Sequence, residues 1–382
     1  ALPGETWPLD GFRGDDLTGK MRHHMTIPDP IVRILTLARW APSGDNCQPW
    51  KFEIINEKHV VVHGTDTREW CLYDFDGHAS HIAHGALIET IRIAASAEKL
   101  TVSWKRRGDS AGTTAIYDIH FQPEPELSDD PLLPFIESRV VQRRMMKTTP
   151  LTEEQKRTLA SAVAPDLEVV FFETGSDKSN IAKLLWRSAY VRLTCPEAYS
   201  VHREVIEWNA RFSIDRIPEE AVGVDRLTAR LMRWVMHSWK RVSFFNKFLF
   251  GTILPRIQLD VLPAIFCGTH ALLKPKARLS STDDYVTAGM SIQRFWLTVA
   301  SQGLYLQPQM TPVIFRWYAR HEKPFSALPE PMNVAKEISD RFEKLANIDK
   351  QDDLAFFCRL GESSPPRSRS LRKALGDLII RS

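Results

Sequence analysis

The pattern of hydrophobic and polar positions becomes regular at Ile31 and predicts a mixture of helices and strands. Apolar residues recur every three or four positions in two stretches, as on the buried side of a helix, and alternate with polar residues in others, as in a half-buried strand. The predicted elements of this first part are helix 31–40, strands 51–56 and 59–63, helix 74–100 and strand 115–121. We therefore expect an α+β fold.

A Pro- and acid-rich stretch at 122–131 is typical of a linker, and the same kinds of pattern begin again after it. The elements predicted there are helices at 134–141, from Thr152, 180–193, 284–302 and 332–345, and strands at 169–173, 264–268 and 354–360. Residues 1–30 are rich in Gly, Pro and Asp and read as an extension. The expected organisation is an extension at 1–30, a first half at 31–125 and a second half at 126–382.

The segment at about 205–260 has a different texture, because aromatic residues alternate there with Arg and Lys. Two interpretations are open: helices that cover a pocket as a lid, or an amphipathic surface for a partner or a membrane. Pro255, Asp260 and Pro263 interrupt the apolar continuity that deep insertion requires, which favours the lid. Contact with a membrane surface is the less favoured alternative.

Composition and charge narrow the function classes. A formal net charge of +3 over 382 residues gives no argument for nucleic-acid binding, and no nucleic-acid-binding motif is present. The five cysteines are far apart, without a CxxC pair, which argues against a zinc ribbon and against a disulfide framework. With no long apolar run to suggest a signal peptide or a membrane span, we expect a cytoplasmic protein.

The polar loop after the first helix is the best candidate for chemistry. Pro42 ends the helical pattern, and Ser43, Asn46 and Gln48 place one hydroxyl and two amides beside a strand that opens at Trp50. An ordinary helix-to-strand connection is the alternative. No nucleophile elbow, HExxH, P-loop or Rossmann fingerprint is present, which leaves hydrolase, zincin, NTPase and dinucleotide-fold hypotheses without support.

Three histidines spaced by three residues, His78, His81 and His84, invite a metal interpretation. They spread around the helix, and neither a carboxylate nor a cysteine completes a compact ligand set. We expect packed or capping histidines there and predict no metal site.

The polar loop resembles the FMN-contacting signature of the nitroreductase superfamily, through Ala41-Pro42-Ser43, Asn46 and Gln48-Pro49-Trp50. Other segments resemble further parts of that family: its phosphate-binding Arg segment at 139–144, its Gly-x-x-x-Gln helix and Gly-Leu turn at 289–308, and its C-terminal basic pair at Arg367 and Arg369. Val141 stands where the family usually has a phosphate-binding hydroxyl. The resemblance covers roughly residues 31–382, apart from the aromatic insertion.

The order of these segments resembles that of the Acg-type fused flavoproteins, in which two nitroreductase-like halves form a pseudo-dimer in one chain. The Arg segment follows the Asn-x-Gln-Pro-Trp loop, and residues 83–95 and 289–300 look like two copies of one family helix. The resemblance implies one FMN per chain, since each half lacks one part of a second site. The implied cofactor-binding residues are Pro42, Ser43, Asn46, Gln48, Arg139, Gln142, Arg143, Pro308, Gln309, Arg367 and Arg369.

The function that this resemblance implies is an FMN-dependent oxidoreductase acting on an organic, bulky apolar or aromatic small molecule. The flavin would carry the chemistry, so no catalytic side chain is named. The alternative is a protein that binds and sequesters FMN with little or no turnover. NADPH or NADH is a candidate electron donor, and the chain is expected to be a monomer, through its pseudo-dimer, or a weak homodimer.

Overall fold

The computed structural model describes residues 29–108 and 112–380, and its mixture of helices and strands confirms the predicted α+β class. The predicted extension at 1–30 lies outside the described residues except for its last two positions. In chain order the first part contains α1 (Asp29–Ala38), β1 (Trp50–Asn56), β2 (His59–Thr65), α2 (His78–Ser96), β3 (Leu100–Arg106) and β4 (Thr114–Pro123).

The strands of this first part form one antiparallel sheet in the order β1-β2-β4-β3. Residues of β4 alternate between buried and accessible positions from Thr114 to Phe121, as expected when one face of a sheet packs on a core and the other faces solvent. The buried face packs against α1 and α2 in a single hydrophobic cluster. This cluster fixes the end of α1, after which the predicted polar loop begins.

The second part adds a larger set of elements. In chain order these are α3 (Glu153–Val163), β5 (Leu167–Phe172), α4 (Gly175–Thr194), α5 (Pro196–Val205), β6 (Ile206–Glu207), β7 (Phe212–Ser213), β8 (Ile217–Pro218), α6 (Arg226–Val235), α7 (Trp239–Phe248), α8 (Ile253–Arg256), α9 (Leu262–Ile265), β9 (Thr269–Pro275), α10 (Thr282–Ser301), β10 (Tyr305–Pro308), α11 (Thr311–Arg320), α12 (Pro329–Ala346), β11 (Phe356–Gly361), β12 (Arg369–Ser370) and α13 (Leu375–Leu378).

The second sheet repeats the topology of the first, with the strand order β5-β9-β11-β10. In both parts an antiparallel pair, then a long helix, then a second antiparallel pair follow one another along the chain. Helices α3 and α10 cover one face of this second sheet, and α4, α11 and α12 cover the other. Every residue of β11 is buried as a result, whereas the first sheet keeps an accessible face.

The long helices α2 and α10 cross at two glycines, and this contact joins the two parts. A Cβ atom on Gly85 would overlap the carbonyl oxygen of Val286, and one on Gly289 would overlap the carbonyl oxygen of Ile82. The two contacts are reciprocal, since each glycine meets the residue three positions before the other glycine. Close backbone approach of this kind needs residues without a side chain.

Two further contacts tie the ends of the second part to sheet edges. Val141 forms a parallel bridge with Leu306 of β10, and Ile379 near the C-terminus forms a parallel bridge with Phe52 of β1 in the first sheet. The C-terminal segment therefore crosses back to the first part and brings its basic residues to the polar loop.

Several predicted elements differ from the structure. The expected helix at 134–141 is only a short 3-10 turn at Leu133–Phe135, because the chain beyond it runs extended to reach β10. The strand expected at 264–268 is wrong: residues up to Ile265 are helical and β9 begins at Thr269. Helix 74–100 is shorter, since α2 ends at Ser96 and β3 begins at Leu100.

Candidate functional site

The polar loop after α1 adopts a strained conformation. Its centre is a 3-10 turn at Gly44–Asn46, and Asp45, Asn46 and Gln48 have φ values of +50°, +65° and +50°. Asp and Asn tolerate the left-handed region better than other non-glycine residues, but three such residues in four positions is uncommon. Strain of this kind persists only where the surroundings hold it, and it is concentrated at ligand-binding segments.

The side chains of this loop are held by specific hydrogen bonds. The Ser43 Oγ accepts a bond from the Gln48 backbone N–H at 2.9 Å, which closes the turn. The Asn46 Oδ1 accepts a bond from Arg372 Nη1 at 2.8 Å, and the Gln48 Oε1 accepts one from the Lys373 N–H at 2.9 Å. The two amides predicted to contact a flavin thus bind the C-terminal segment in this structure.

The same amides also bind the segment that follows α5. Asn46 Nδ2 donates to the Arg216 carbonyl at 3.4 Å, and Gln48 Nε2 donates to the Ile214 carbonyl at 2.8 Å. Residues 206–221 therefore lie over the loop. Within this segment β6 pairs with β8 in a short parallel ribbon, a 3-10 turn follows, and β7 pairs with β12 of the C-terminal segment. Residues 206–221 form the first portion of the insertion predicted as a lid.

A cavity that is open to solvent lies between these segments. The loop contributes Pro42, Ser43, Asp45 and Asn46 from the first part of the chain. The second part contributes Arg139, Arg143, Trp296, Ser368, Arg369 and Arg372. Six of the eleven predicted cofactor-binding residues, including three arginines, therefore line one cavity.

Arg139 is buried at this cavity and only partly satisfied. Its Nη2 donates to the Trp40 carbonyl at 3.0 Å, and its guanidinium lies 4.6 Å from the ring centroid of Trp296. Its Nε has no hydrogen-bond partner among the residues that the structure describes. An unpartnered buried donor is costly, so this group is suited to receive an acceptor from a ligand.

Arg369 repeats the arrangement on the C-terminal segment. Its Nη2 donates to the Glu137 carbonyl at 2.8 Å, and its guanidinium lies 4.9 Å from the Trp40 ring centroid. Within the described part of the chain its Nε also has no hydrogen-bond partner. Two buried guanidinium groups on separate segments thus line the same cavity, and each has one nitrogen without a partner among the described residues.

Arg143 and Arg372 extend the cationic cluster. Arg143 Nη1 donates to the Ala221 carbonyl at 3.3 Å, and its charge interacts with that of Asp45. Arg372 is buried, and besides Asn46 it binds the carbonyl oxygens of Trp40 and Ala41. Arg372 was not among the predicted site residues, although it continues the basic tail that supplies Arg369.

Burial and mutual repulsion make these cations costly to hold. Burial lowers the pKa of Arg139 to about 9, and the charge of Arg369 acts in the same direction. Burial lowers the pKa of Arg372 well below its usual value, with further lowering from Arg139, Arg369 and Arg39. The charge of Asp45 partly offsets the effect of burial on the pKa of Arg143, and the charge of Glu137 does the same for Arg369. An anion in the cavity would remove this cost.

Other predicted site residues do not line this cavity. The Gln142 side chain binds Ser363 Oγ, the Ser364 carbonyl and the Arg144 N–H, so its amide holds the chain before the C-terminal segment. The Gln309 Oε1 is bonded to His270 Nδ1 at 2.8 Å, next to Pro308 at the end of β10. Arg367 is exposed. The predicted flavin contacts of these residues and of Gln48 stay predictions.

The histidines of α2 behave as packed residues. His84 is fully buried, with Nε2 at 2.9 Å from the Pro49 carbonyl and Nδ1 at 3.2 Å from Tyr117 Oη. Burial lowers its pKa to about 4, which keeps the ring neutral. These bonds hold α2 against the strand that begins after the polar loop.

A different group, His59, Asp118 and His120, brings potential metal-ligand atoms within 4.8 Å of one another on the first sheet. Both oxygens of Asp118 already accept bonds from Arg107, at 2.8 and 2.9 Å. A guanidinium in that position competes with any cation, so the arrangement is that of an ion-pair network.

Several solved structures are similar to this chain. No family model and no curated protein matches the sequence. An iodotyrosine deiodinase bound to FMN and 3-iodo-L-tyrosine is 14% identical, with a TM-score of 0.34, and the match covers 65% of this chain and 97% of that one.

Two further solved structures are similar over the same share of the chain. The FMN-dependent nitroreductase NfnB from Mycobacterium smegmatis, in complex with NADPH, is 14% identical with a TM-score of 0.36, and the match covers 96% of it. A nitroreductase-like family protein from Bacillus cereus is 7% identical with a TM-score of 0.33, and 94% of it is covered.

Proposed function

We propose that this chain is a nitroreductase-like flavoprotein that binds FMN in the cavity between the polar loop and the arginine cluster, and acts as an oxidoreductase. The observation that carries the proposal is the pair of buried, incompletely satisfied guanidinium groups, Arg139 and Arg369, which line one cavity from two segments. The phosphate of FMN has the charge and the acceptor oxygens that these groups lack.

The charges of the cavity fit a dianion. Arg139, Arg143, Arg369 and Arg372 line it, and Asp45 is the one carboxylate among the residues that line it with them. A phosphate monoester carries about −1.5 to −2 charges at neutral pH, which would offset most of this excess. A neutral or cationic ligand would leave the buried cations unpaired.

When bound, the isoalloxazine of FMN would supply the electron-transfer chemistry, since no side chain in this cavity offers redox chemistry of its own. The arginines would hold the phosphate, and the indole of Trp296 lies beside Arg139 as an apolar wall. The loop at 42–46 would present its backbone N–H groups and the Ser43 hydroxyl. Residues 214–221 would exclude water from the loop.

We further propose that the two parts of the chain form an Acg-type pseudo-dimer with one FMN. Identical strand orders in the two sheets and the reciprocal glycine contacts of α2 and α10 support this arrangement. The loop belongs to the first part and the arginines to the second, so a single site uses both. Such a chain would satisfy its own interface and act as a monomer or a weak homodimer.

The enzyme hypothesis is tested by reducing the purified flavoprotein with NADPH or NADH and then adding a nitroaromatic or a quinone. Bleaching of the flavin absorbance by the nicotinamide, followed by its return on addition of the acceptor, is the expected result. Failure of every such donor and acceptor pair, with dithionite still bleaching the flavin, would contradict turnover of this kind.

Storage of FMN without turnover is the second candidate, and the hydrogen bonds of the covering segment favour it. Ile214 and Arg216 are bonded to the loop amides, and Ala221 is bonded to Arg143, so the cover is closed over the loop in this structure. A storage protein would release FMN slowly and keep its flavin oxidised in the presence of nicotinamide. Stopped-flow reduction compared with the rate of flavin release separates the two functions.

A further inference from the structure

The second portion of the insertion, α6 and α7 with the turn to α8, carries a large exposed apolar surface. Trp234, Phe244 and Phe248 are 52%, 52% and 58% exposed, and Leu227 and Phe250 are 76% and 75% exposed. Side chains of this size and type are normally buried. We call this surface the aromatic face, and it also includes Leu231, Leu249, Ile253 and Leu254.

The aromatic face is continuous across the two helices. The Trp234 ring packs edge-on against Phe245 at 5.6 Å, Phe245 lies 6.2 Å from Phe244, and Phe244 lies 5.1 Å from Phe248. These contacts link α6 to α7 through one row of rings. A contiguous apolar surface of this kind marks an interaction site.

The helices that carry the aromatic face are rich in cations, and carboxylates stand only at their margins, at Asp225 and Asp260. Residues 226–259 contain seven Arg and Lys residues and no Asp or Glu. Arg241 lies 4.7 Å from the Trp234 ring centroid and Lys247 lies 5.3 Å from that of Phe248, so cations border the rings directly. Exposed aromatic groups bordered by cations suit an anionic surface.

The aromatic face is separate from the cover of the candidate flavin site. The residues that contact the loop and the arginines come from 214–221, ahead of α6. Leu227, Trp234 and Phe248 are exposed to solvent and none of them lines the arginine cavity. The insertion thus divides into a portion that covers the site and a portion whose apolar side chains have no cover within the described residues.

We propose that the aromatic face docks on the surface of an anionic lipid bilayer, with its rings in the interfacial region and its Arg and Lys side chains among the head groups. A second copy of the chain would bring two faces of the same positive sign together, which opposes self-association through this surface. The proposal does not depend on flavin binding.

The geometry favours docking along the bilayer surface over a span across it. Within the described residues no single helix is long and apolar enough to span a membrane. The pair Trp239–Phe248 and Ile253–Ile265 reaches that length and composition only together, with a bend of 87° between its members. Amphipathic segments with a cationic border lie in the plane of the interface.

Sedimentation of the full chain with lipid vesicles tests the proposal. We expect binding to vesicles of equimolar phosphatidylcholine and phosphatidylglycerol, little binding to phosphatidylcholine alone, and weaker binding as salt is raised. No binding to the anionic vesicles at low salt would overturn the proposal.

Two variants separate the roles of charge and rings. Replacing Arg230, Lys240 and Lys247 together by Glu removes three exposed cations, and we expect the vesicle affinity to fall by at least about tenfold. Replacing Phe244, Phe248 and Phe250 together by Ser removes the exposed rings, with a similar expected loss.

The matched control for charge is the replacement of the exposed Lys58, Lys336 and Lys344 by Glu, which changes the net charge equally outside the aromatic face. We expect this control to retain most of the affinity. Equal losses in the control and in the charge variant would show binding through net charge and overturn the proposal. Binding unchanged in both face variants, or an aromatic face that binds an acidic protein but no vesicle, would also overturn it.

Discussion

Removing Arg139 and Arg143 together should abolish flavin retention without unfolding the protein. The Arg139→Ala/Arg143→Ala variant takes away two guanidinium groups that line the cavity. Hydrogen bonds to charged groups contribute about 1.5–3 kcal/mol each, so two lost contacts weaken FMN binding by roughly 3–6 kcal/mol. At about 1.4 kcal/mol for each tenfold change, the dissociation constant should rise by roughly 10²–10⁴-fold.

The assay is titration of flavin-free protein with FMN, followed by quenching of flavin fluorescence, alongside thermal unfolding of the same flavin-free samples. Because burial and the charge of Arg369 make the Arg139 cation costly, its removal should cost the flavin-free protein little stability. Arg144→Ala is the matched control, since Arg144 is an exposed neighbour in the same segment and does not line the cavity. Full FMN affinity in the double variant would refute the assignment of the phosphate site.

Three further outcomes are expected. Gly85→Ala should destabilise the protein by several kcal/mol, because the added Cβ would overlap the Val286 carbonyl at the helix crossing. Gly175→Ala is the control and should be tolerated, since its Cβ would meet open space; urea unfolding of both variants measures the difference. Asn46→Ala should lower the free energy of unfolding by about 1.5–3 kcal/mol, because it leaves the buried Arg372 without its side-chain acceptor. Asn46→Asp should restore the contact, and equal stability of Asn46→Ala and the parent chain would contradict the role of this hydrogen bond. Finally, burial lowers the pKa of His84 to about 4 in the folded chain, whereas the unfolded chain titrates near 6.5. The unfolded state therefore binds the proton first, and His84 lowers the stability of the fold as pH falls from about 6.5 to 4. The free energy of unfolding, measured with denaturant across that range, should depend less on pH in His84→Gln.

Sequence analysis could predict which loop and which arginines meet at the cavity, because each of them belongs to a recognisable local pattern. The Pro42–Gln48 loop and the arginines at 139, 143 and 369 are each distinctive in sequence, and the structure places most of them at one cavity. The position of Gln142 was not predictable in the same way. Its amide finds three partners from the folded chain, and only tertiary packing brings those partners near.

The residues that sequence analysis missed are those whose role depends on long-range contacts. Arg372 reaches Asn46 because the C-terminal segment crosses to the first sheet, and no local pattern encodes that crossing. The error at 264–268 has a local cause, since a short apolar run fits a helix end as well as a strand. The sequence pattern predicts a single insertion at about 205–260, as a lid or as a surface for a partner or a membrane, whereas its two portions have different surroundings.

The ratio of FMN to protein chain tests the central claim most directly. The protein is saturated with FMN, freed of excess ligand and denatured, and the released flavin is quantified against the chain concentration. One site built from the loop of the first part and the arginines of the second predicts one FMN per chain, and the ratio should fall to near zero in the Arg139→Ala/Arg143→Ala variant. A ratio of two, or no flavin bound after reconstitution, would contradict the account.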